Sequence, residues 1–567
     1  MDHMRPPPST SRFAATVIAA VLTSAALAAC TGAPSDPEAT PDETAISATS
    51  TESPTPDDED AAVRIVAATE GAAPVEVLAA DTAEAAAFAA SAALIAEAPV
   101  VVLATASDAA AVTSATAAAT DLGFPVLPAP IPAPSASPST SPDPSATPTT
   151  DPAPTTPTAT PVPSGAPSSD VLASELERLG THTLLAVDSA AADAADAAAA
   201  LAQAGDVEIE VVTNPDELPE IQRAEPQPTT AVLTTGLPTD ALALATAAAA
   251  GATVVTAPTG DPRASADAVT ALAATPPTRT LDLGAAFGTA EVLTPRLATA
   301  ATGVQLPGGG QLVLADRRYV ALYGHPGTPS LGLLGEQPLG EAVPRAQKLA
   351  RDYDAVSDLP VIPTFEIITT VASAGAGADG DYSNEVDPSV LEPWIQEAGE
   401  AGIYVLLDLQ PGRSDFLSQA QQYESLLAYP NVGLALDPEW RLGPDERHLA
   451  QIGSVTAAEV NATSAWLAEL TRSRALPQKM LVLHQFTTSM ISERETLDTS
   501  HAELAVVIHA DGNGGPGAKL ATWNKLRENA PTGVTFAWKN FIDEDTPTFT
   551  PAETMAIEPT PVLVSYQ

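Results

Sequence analysis

The sequence predicts an α/β protein whose C-terminal part, residues 311–567, is a (β/α)8 TIM-like barrel. An Ala-rich, doubly wound parallel α/β domain precedes it. Three observations lead there. Short apolar runs alternate with helical stretches of about 10–15 residues, the pattern of parallel crossover units. Eight such runs follow Gly310 within roughly 250 residues, the span of one barrel. All five Trp, all eight Tyr and five of the seven His also lie beyond residue 310. The chain changes character there and gains side chains able to stack ligands.

In chain order, Arg5 and Arg12 flank or precede an apolar stretch, residues 13–29, that is too short and Ala-rich to span a membrane. Small residues then lead to Cys30, the single cysteine, in the layout of a secretory signal with its cleavage site. Residues 30–60 are Pro, Thr, Ser, Asp and Glu with almost no large apolar side chains. They cannot bury enough surface to offset their ordering entropy, so a disordered acidic stalk is expected. Residues 61–127 and 169–305 form the two parts of the Ala-rich domain. Residues 128–168, a Pro/Ser/Thr tract, read as a disordered linker between them.

Strands of the Ala-rich domain are expected at 63–67, 100–103, 125–127, 183–187, 208–212, 230–234, 252–256 and 279–283. Helices are expected at 81–98, 108–122, 170–179, 189–204, 238–250 and 263–274. The eight barrel runs are 318–323, 361–365, 403–408, 432–436, 480–484, 505–509, 533–538 and 562–566. Helical patterns at 341–352, 388–401, 415–427, 456–473 and 516–529 separate most of them.

Lys plus Arg number 24 against 71 Asp plus Glu, a formal charge of −47. A nucleic-acid partner is excluded by that balance, which lacks a positive footprint. Anionic head groups are equally unfavourable partners. No cofactor is expected: no Gly-x-Gly-x-x-Gly or Walker-type loop follows any strand of the Ala-rich domain, so a nucleotide has no cradle there. No local histidine pair suggests a metal, and no Gly-x-Ser-x-Gly elbow suggests a serine hydrolase. A monomer is expected.

A barrel gathers functional side chains at the C-terminal ends of its strands. Polar residues stand there in nearly every strand. The ends read Tyr323-Gly324-His325, then Phe365-Glu366, then Asp408-Leu409-Gln410. They continue Asp437-Pro438-Glu439-Trp440, His484-Gln485-Phe486, His509-Ala510-Asp511 and Trp538-Lys539. Asp437 and Glu439, two apart, are expected on one side of a strand, facing the mouth. Close carboxylates separate an acid from a base, as glycoside hydrolysis requires. Glu439, Asp437 and Asp408 are therefore the catalytic candidates. Tyr323, His325, Glu366, Gln410, Trp440, His484, Gln485, His509, Asp511 and Trp538 are the substrate-binding candidates, the two Trp as sugar-stacking faces.

Three resemblances accompany these residues. Leu27-Ala28-Ala29-Cys30 resembles the lipobox of bacterial lipoproteins. That implies removal of residues 1–29 as a lipoprotein signal peptide and a diacylglycerol thioether on Cys30. The protein would then sit on the extracytoplasmic face of the cell membrane, held by lipid, beside wall or other extracellular glycan. Ala98 to Leu103, Val171 to Leu179 and Thr183 to Val187 are similar to a type 2 cell-wall-binding repeat, and Thr235 to Ala243 with Ala252 to Ala257 resembles a second, degenerate copy. Asp188-Ser189 stands where those repeats carry Gly-Gly. Asp437-Pro438-Glu439 is similar to the Asp-x-Glu of family 25 muramidases, which implies Glu439 as general acid and Asp437 as its electrostatic partner. Tyr323 and His325 stand where that family's first strand carries an Asp. Family 18 glycosidases share the Asp-x-Glu, but their earlier Asp positions are Ala435 and Val432 here. Two classes follow: a lipid-anchored glycan-active enzyme, or a non-catalytic envelope protein that binds wall components.

Overall fold

The computed structural model describes residues 64–68, 74–78, 80, 82–130, 169–205 and 208–567. The signal segment, Cys30, the acidic stalk and residues 131–168 of the Pro/Ser/Thr tract lie outside the described residues. Among the described residues no helix is long and apolar enough to cross a membrane.

Among the described residues the Ala-rich part is parallel α/β, divided into two four-stranded sheets. One sheet orders Val75–Leu78, Arg279–Leu283, Gln227–Thr234 and Ala252–Thr256. The other orders Val126–Pro128, Val100–Ala104, Thr183–Ala186 and Glu210–Val212. The chain leaves the first sheet through helix Ala83–Leu94, builds the whole second sheet, and returns at Gln227. Helix Ala241–Ala249 packs on helix Ala83–Leu94, and Ala87, Ala90, Ala243 and Ala247 are wholly buried. Side chains this small let helices approach closely, since interaxial distance follows the side chains at the contact. Thr246 ties the two sheets together, its Oγ1 accepting from Val126 N at 3.0 Å. The helix expected over 81–98 stops at Leu94, because Ile95–Glu97 pairs antiparallel with Val66–Ala67.

The eight expected runs of the C-terminal part are the eight strands of a closed parallel barrel. They are β1 (Arg318–Gly324), β2 (Val361–Ala372), β3 (Tyr404–Leu409), β4 (Val432–Leu436), β5 (Lys479–Gln485), β6 (Leu504–Ala510), β7 (Thr535–Asn540) and β8 (Leu563–Tyr566). Each pairs with the next, and β1 closes the ring by pairing with both β2 and β8. The helices pack outside. Leu339–Asp354 buries Ala342, Ala346 and Ala350, a stripe at four-residue spacing.

Strand alternation sorts the side chains into two sets. Ala321, Leu406, Ala435, Met480, Val482, Val507 and Ala537 fill the barrel interior. Their neighbours Leu322, Val405, Leu407, Leu434, Leu481 and Leu483 pack outward against helices. Leu306 and Val313, from the segment before β1, join the interior cluster. Gln311 bonds this segment on both sides: its N donates to Arg263 O at 2.7 Å, and its O accepts from Gln478 N at 2.8 Å. The apolar interior stops about halfway up the barrel, and above it the inward side chains are mostly polar, with Ile368 on β2 an exception.

Candidate active site at the barrel mouth

Following the inward set upward gives Tyr323 on β1, Glu366 on β2, Asp408 on β3 and Asp437 just beyond β4. His484 on β5, His509 and then Asp511 on β6, Lys539 on β7 and Ser565 on β8 complete the ring. All are buried. Charges so far from water persist only when paired. The pairing runs through His484. Its Nε2 donates to Glu366 Oε1 at 2.8 Å and its Nδ1 to Asp511 Oδ2 at 2.9 Å. Lys539 Nζ reaches Asp511 Oδ1 at 3.2 Å while lying 3.7 Å from the centre of the Tyr323 ring. Tyr323 Oη donates to Asp408 Oδ2 at 2.9 Å.

These contacts set the protonation states. Burial opposes a charge on His484, but Glu366 and Asp511 raise its proton affinity well above the ordinary value. Against burial, His484 holds Glu366 below the usual carboxylate range. Against burial again, Lys539 and then His484 hold Asp511 far below it. His509, stacked on His484 with ring centres 4.6 Å apart, is pushed down to about 3 by burial and by that cation. It is neutral, with Nε2 2.9 Å from Ser565 Oγ. Burial, with Glu366 adding to it, moves Asp408 up to about 6.

The remaining two carboxyls are raised as well. Asp437 is raised well above its ordinary value by burial and then by Glu439. Glu439 is raised to about 7 by burial and then by the charge of Asp511. Both line a cavity of about 450 Å³ together with Asp511 and Lys539. The mouth thus holds an ionised carboxylate and a protonated one, whose environments have driven their affinities apart.

Glu439 arrives there by a different route from the one the sequence suggested. The strand stops at Leu436, so only Asp437 is inward by alternation. Pro438–Trp440 is a 3-10 turn that swings Glu439 over the cavity. Gly453 holds that turn, its N donating to Glu439 O at 2.8 Å. A Cβ on Gly453 would stand 2.4 Å from that oxygen and 2.5 Å from Arg441 O, so only glycine fits.

Of the substrate-binding candidates, Tyr323, Gln410, Trp440 and Asp511 line the cavity. Glu366, Asp408, His484 and His509 are wholly buried in the ring and act through their contacts, outside the cavity lining. Three candidates are placed elsewhere. Trp538 is buried on the outer side of β7, against Trp523 and Phe549, because alternation sends Ala537 and Lys539 inward instead. Gln485 shares the outer face of β5 with Leu481 and Leu483, so it is not at the mouth. His325, half-buried after β1, is bonded through Nδ1 to Ile368 O at 2.9 Å and does not reach the cavity.

Sequence reasoning named Lys539 and Phe486 at strand ends without choosing them as candidates, and did not choose Asn513, Phe541 or Gln567; all five line the cavity. It also missed the pair that holds the rim. Lys519 Nζ lies 2.9 Å from Asp545 Oδ2 and donates to Gly512 O at 2.8 Å. Asp545 in turn accepts from Gly514 N and Phe541 N. Alternation on β7 was the signal for Lys539. Loop residues carry no such period.

Among the described residues two groups bring three ligand-type atoms within 4.8 Å of one another, His484–His509–Asp511 and Asp379–Asp381–Glu385. In the first, both nitrogens of His484 already serve carboxylates. The second lies by the hairpin formed by β2 and Ser383–Glu385, at the surface.

Comparison of the sequence with protein-family descriptions and with curated proteins gives no match. Among solved structures, the xylanase and α-amylase inhibitor protein XAIP-II from Scadoxus multiflorus is similar at 12% identity and a TM-score of 0.25, over 44% of this chain and 92% of that one. Cwp6 from Clostridium difficile is similar at 12% identity and a TM-score of 0.24, over 55% of this chain and 67% of that one. Likenesses this slight do not bear on function, which rests on the site itself.

Proposed function

We propose that the barrel hydrolyses glycosidic bonds of wall or extracellular polysaccharide by general acid–base chemistry, and that a lipid on Cys30 holds it at the membrane's outer face. One observation carries the reading: Glu439 and Asp511 line one cavity with their proton affinities pushed in opposite directions. In this mechanism Glu439 donates its proton to the glycosidic oxygen as the C–O bond breaks. Positive charge then builds on the sugar ring, and ionised Asp511 is the group that stabilises it. Water adds to the anomeric carbon and gives its proton to the Glu439 carboxylate, which restores the acid. Lys539 and His484 keep Asp511 ionised, and Trp440 offers a stacking face at the rim. Asp437 adds negative potential once it ionises. The Ala-rich domain, in the same proposal, contributes wall contact.

The alternative is a non-catalytic binder of wall components. It draws support from the degree to which Glu366, Asp408, His484 and His509 are shut away from the cavity, as structural ion networks are. Release of reducing ends from peptidoglycan and other glycans by the wild type and by Glu439→Gln distinguishes the two. Hydrolysis by the wild type that falls about 10²-fold or more in the variant supports the enzyme. Binding with no release by either protein supports the binder.

A further inference from the structure

Asp437 is the anomaly of the mouth. Its side chain is 2% exposed and borders the cavity, yet no hydrogen-bond donor among the described residues reaches Oδ1. Glu366 Oε2 and Asp408 Oδ1 are also buried without a partner. Buried carboxyl oxygens are ordinarily satisfied, because leaving them bare is costly. The groups that could satisfy them from within the protein are committed elsewhere: His484 to Glu366 and Asp511, Lys539 to Asp511. Acidic groups therefore outweigh basic ones around this cavity, and Asp437, like Asp408 and Glu439, has no cation of its own.

Resting on the reading of the mouth as a glycan site, we propose that its substrate carries unacetylated amino groups, and that a sugar ammonium docks against Asp437. A neutral hydroxyl would donate a hydrogen bond but would add no charge to favour the ionised form of Asp437, which burial and Glu439 disfavour. An ammonium does both, and its hydrogen bond to a carboxylate is of the stronger, charge-assisted kind. A divalent cation fits less well. It needs several oxygens converging at once, and Asp437 belongs to neither group whose ligand atoms lie within 4.8 Å of one another. The whole chain points the same way. A formal charge of −47 attracts a polycationic glycan and repels an anionic one.

The test uses the full chain with a chito-oligosaccharide of fixed length in fully N-acetylated and fully de-N-acetylated forms, measuring both binding and cleavage. The wild type is expected to bind the free-amine form tighter by roughly tenfold or more, with the ratio near one in Asp437→Asn. Equal binding of the two forms by the wild type, or preference for the acetylated form, overturns the proposal. So does a preference that survives intact in Asp437→Asn. Should that variant not fold, the wild type decides by itself at about 1 M salt, where diffuse attraction is screened beyond roughly 3 Å. A preference that persists there supports a desolvated ion pair, and one that vanishes overturns it. Cleavage of both forms without preference removes the ammonium but leaves the hydrolase. Preference without cleavage removes the hydrolase and keeps the ammonium site.

Discussion

Asp511 and Lys539 form a buried ion pair, Oδ1 to Nζ at 3.2 Å, between the ends of β6 and β7. Among the charges acting on Asp511, Lys539 has the greatest influence. The pair therefore selects which carboxylate in the mouth is ionised. Glu439, whose strongest charged neighbour is Asp511, is left to hold a proton up to about pH 7.

The activity should accordingly fall as pH rises through about 7, where Glu439 loses its proton. Its acid limb should lie below the ordinary carboxylate range, where Asp511 takes one up. Lys539→Met removes the chief cause of that depression, so the acid limb should move to higher pH. A pH profile of kcat/KM for both proteins checks this, and an unmoved acid limb contradicts the assignment of Asp511.

Stability should carry an opposite signature for the two carboxyls. Glu439 has an ordinary value of 4.5 and is raised to about 7 in the fold. Between those values the folded chain holds a proton that the unfolded chain releases, so stability falls as pH rises across that window. Asp511 and Glu366 are depressed, so their contribution is present above the ordinary range and is lost as pH falls through their folded values. Glu439→Gln should flatten the decline between about pH 5 and about pH 7, by no more than about 1.4 kcal/mol per pH unit. Urea denaturation across that range measures the slope, and a slope unchanged by the variant refutes the raised affinity.

The two tryptophans once paired as stacking faces should separate cleanly. Trp538→Ala should destabilise the fold by about 3–5 kcal/mol, as large-to-small core changes do. Trp440→Ala, at a half-buried rim position, should raise KM several-fold with a stability loss of about 1 kcal/mol or less. Thermal melts alongside kinetics check both, and the reverse pattern would undo the placement of the mouth.

Cys30→Ser should release the protein from membranes into the soluble fraction and abolish incorporation of labelled palmitate. A variant that stays membrane-bound and labelled would exclude Cys30 as the anchor.

The barrel was legible because its strands are buried on both faces, so each appears as an unbroken apolar run. Val75–Leu78 escaped notice since only Leu78 in it is buried and Glu76 interrupts it. The division of the Ala-rich part into two sheets depends on pairing at a distance, which apolar runs do not encode. In the site, the strand ends named the right ring but not its inner and outer halves. Trp538 and Lys539 are adjacent, and alternation admits only one of them to the interior. With Phe536 beside Trp538 on one face and Ala537 beside Lys539 on the other, the larger aromatic residues belong to the helix layer. Glu439 depends on a 3-10 turn and Gly453, and Phe486, Asn513 and Phe541 sit on loops without any period.

The central claim is that Glu439 protonates the leaving group. The most direct measurement compares wild type and Glu439→Gln on aryl glycosides whose leaving groups span a range of acidity. With poor leaving groups the variant should lose about 10²–10⁴-fold in kcat/KM, the usual worth of a positioned general acid. With a leaving group acidic enough to depart unaided, it should approach the wild-type rate. An equal loss across the whole series would show that Glu439 does not supply the proton.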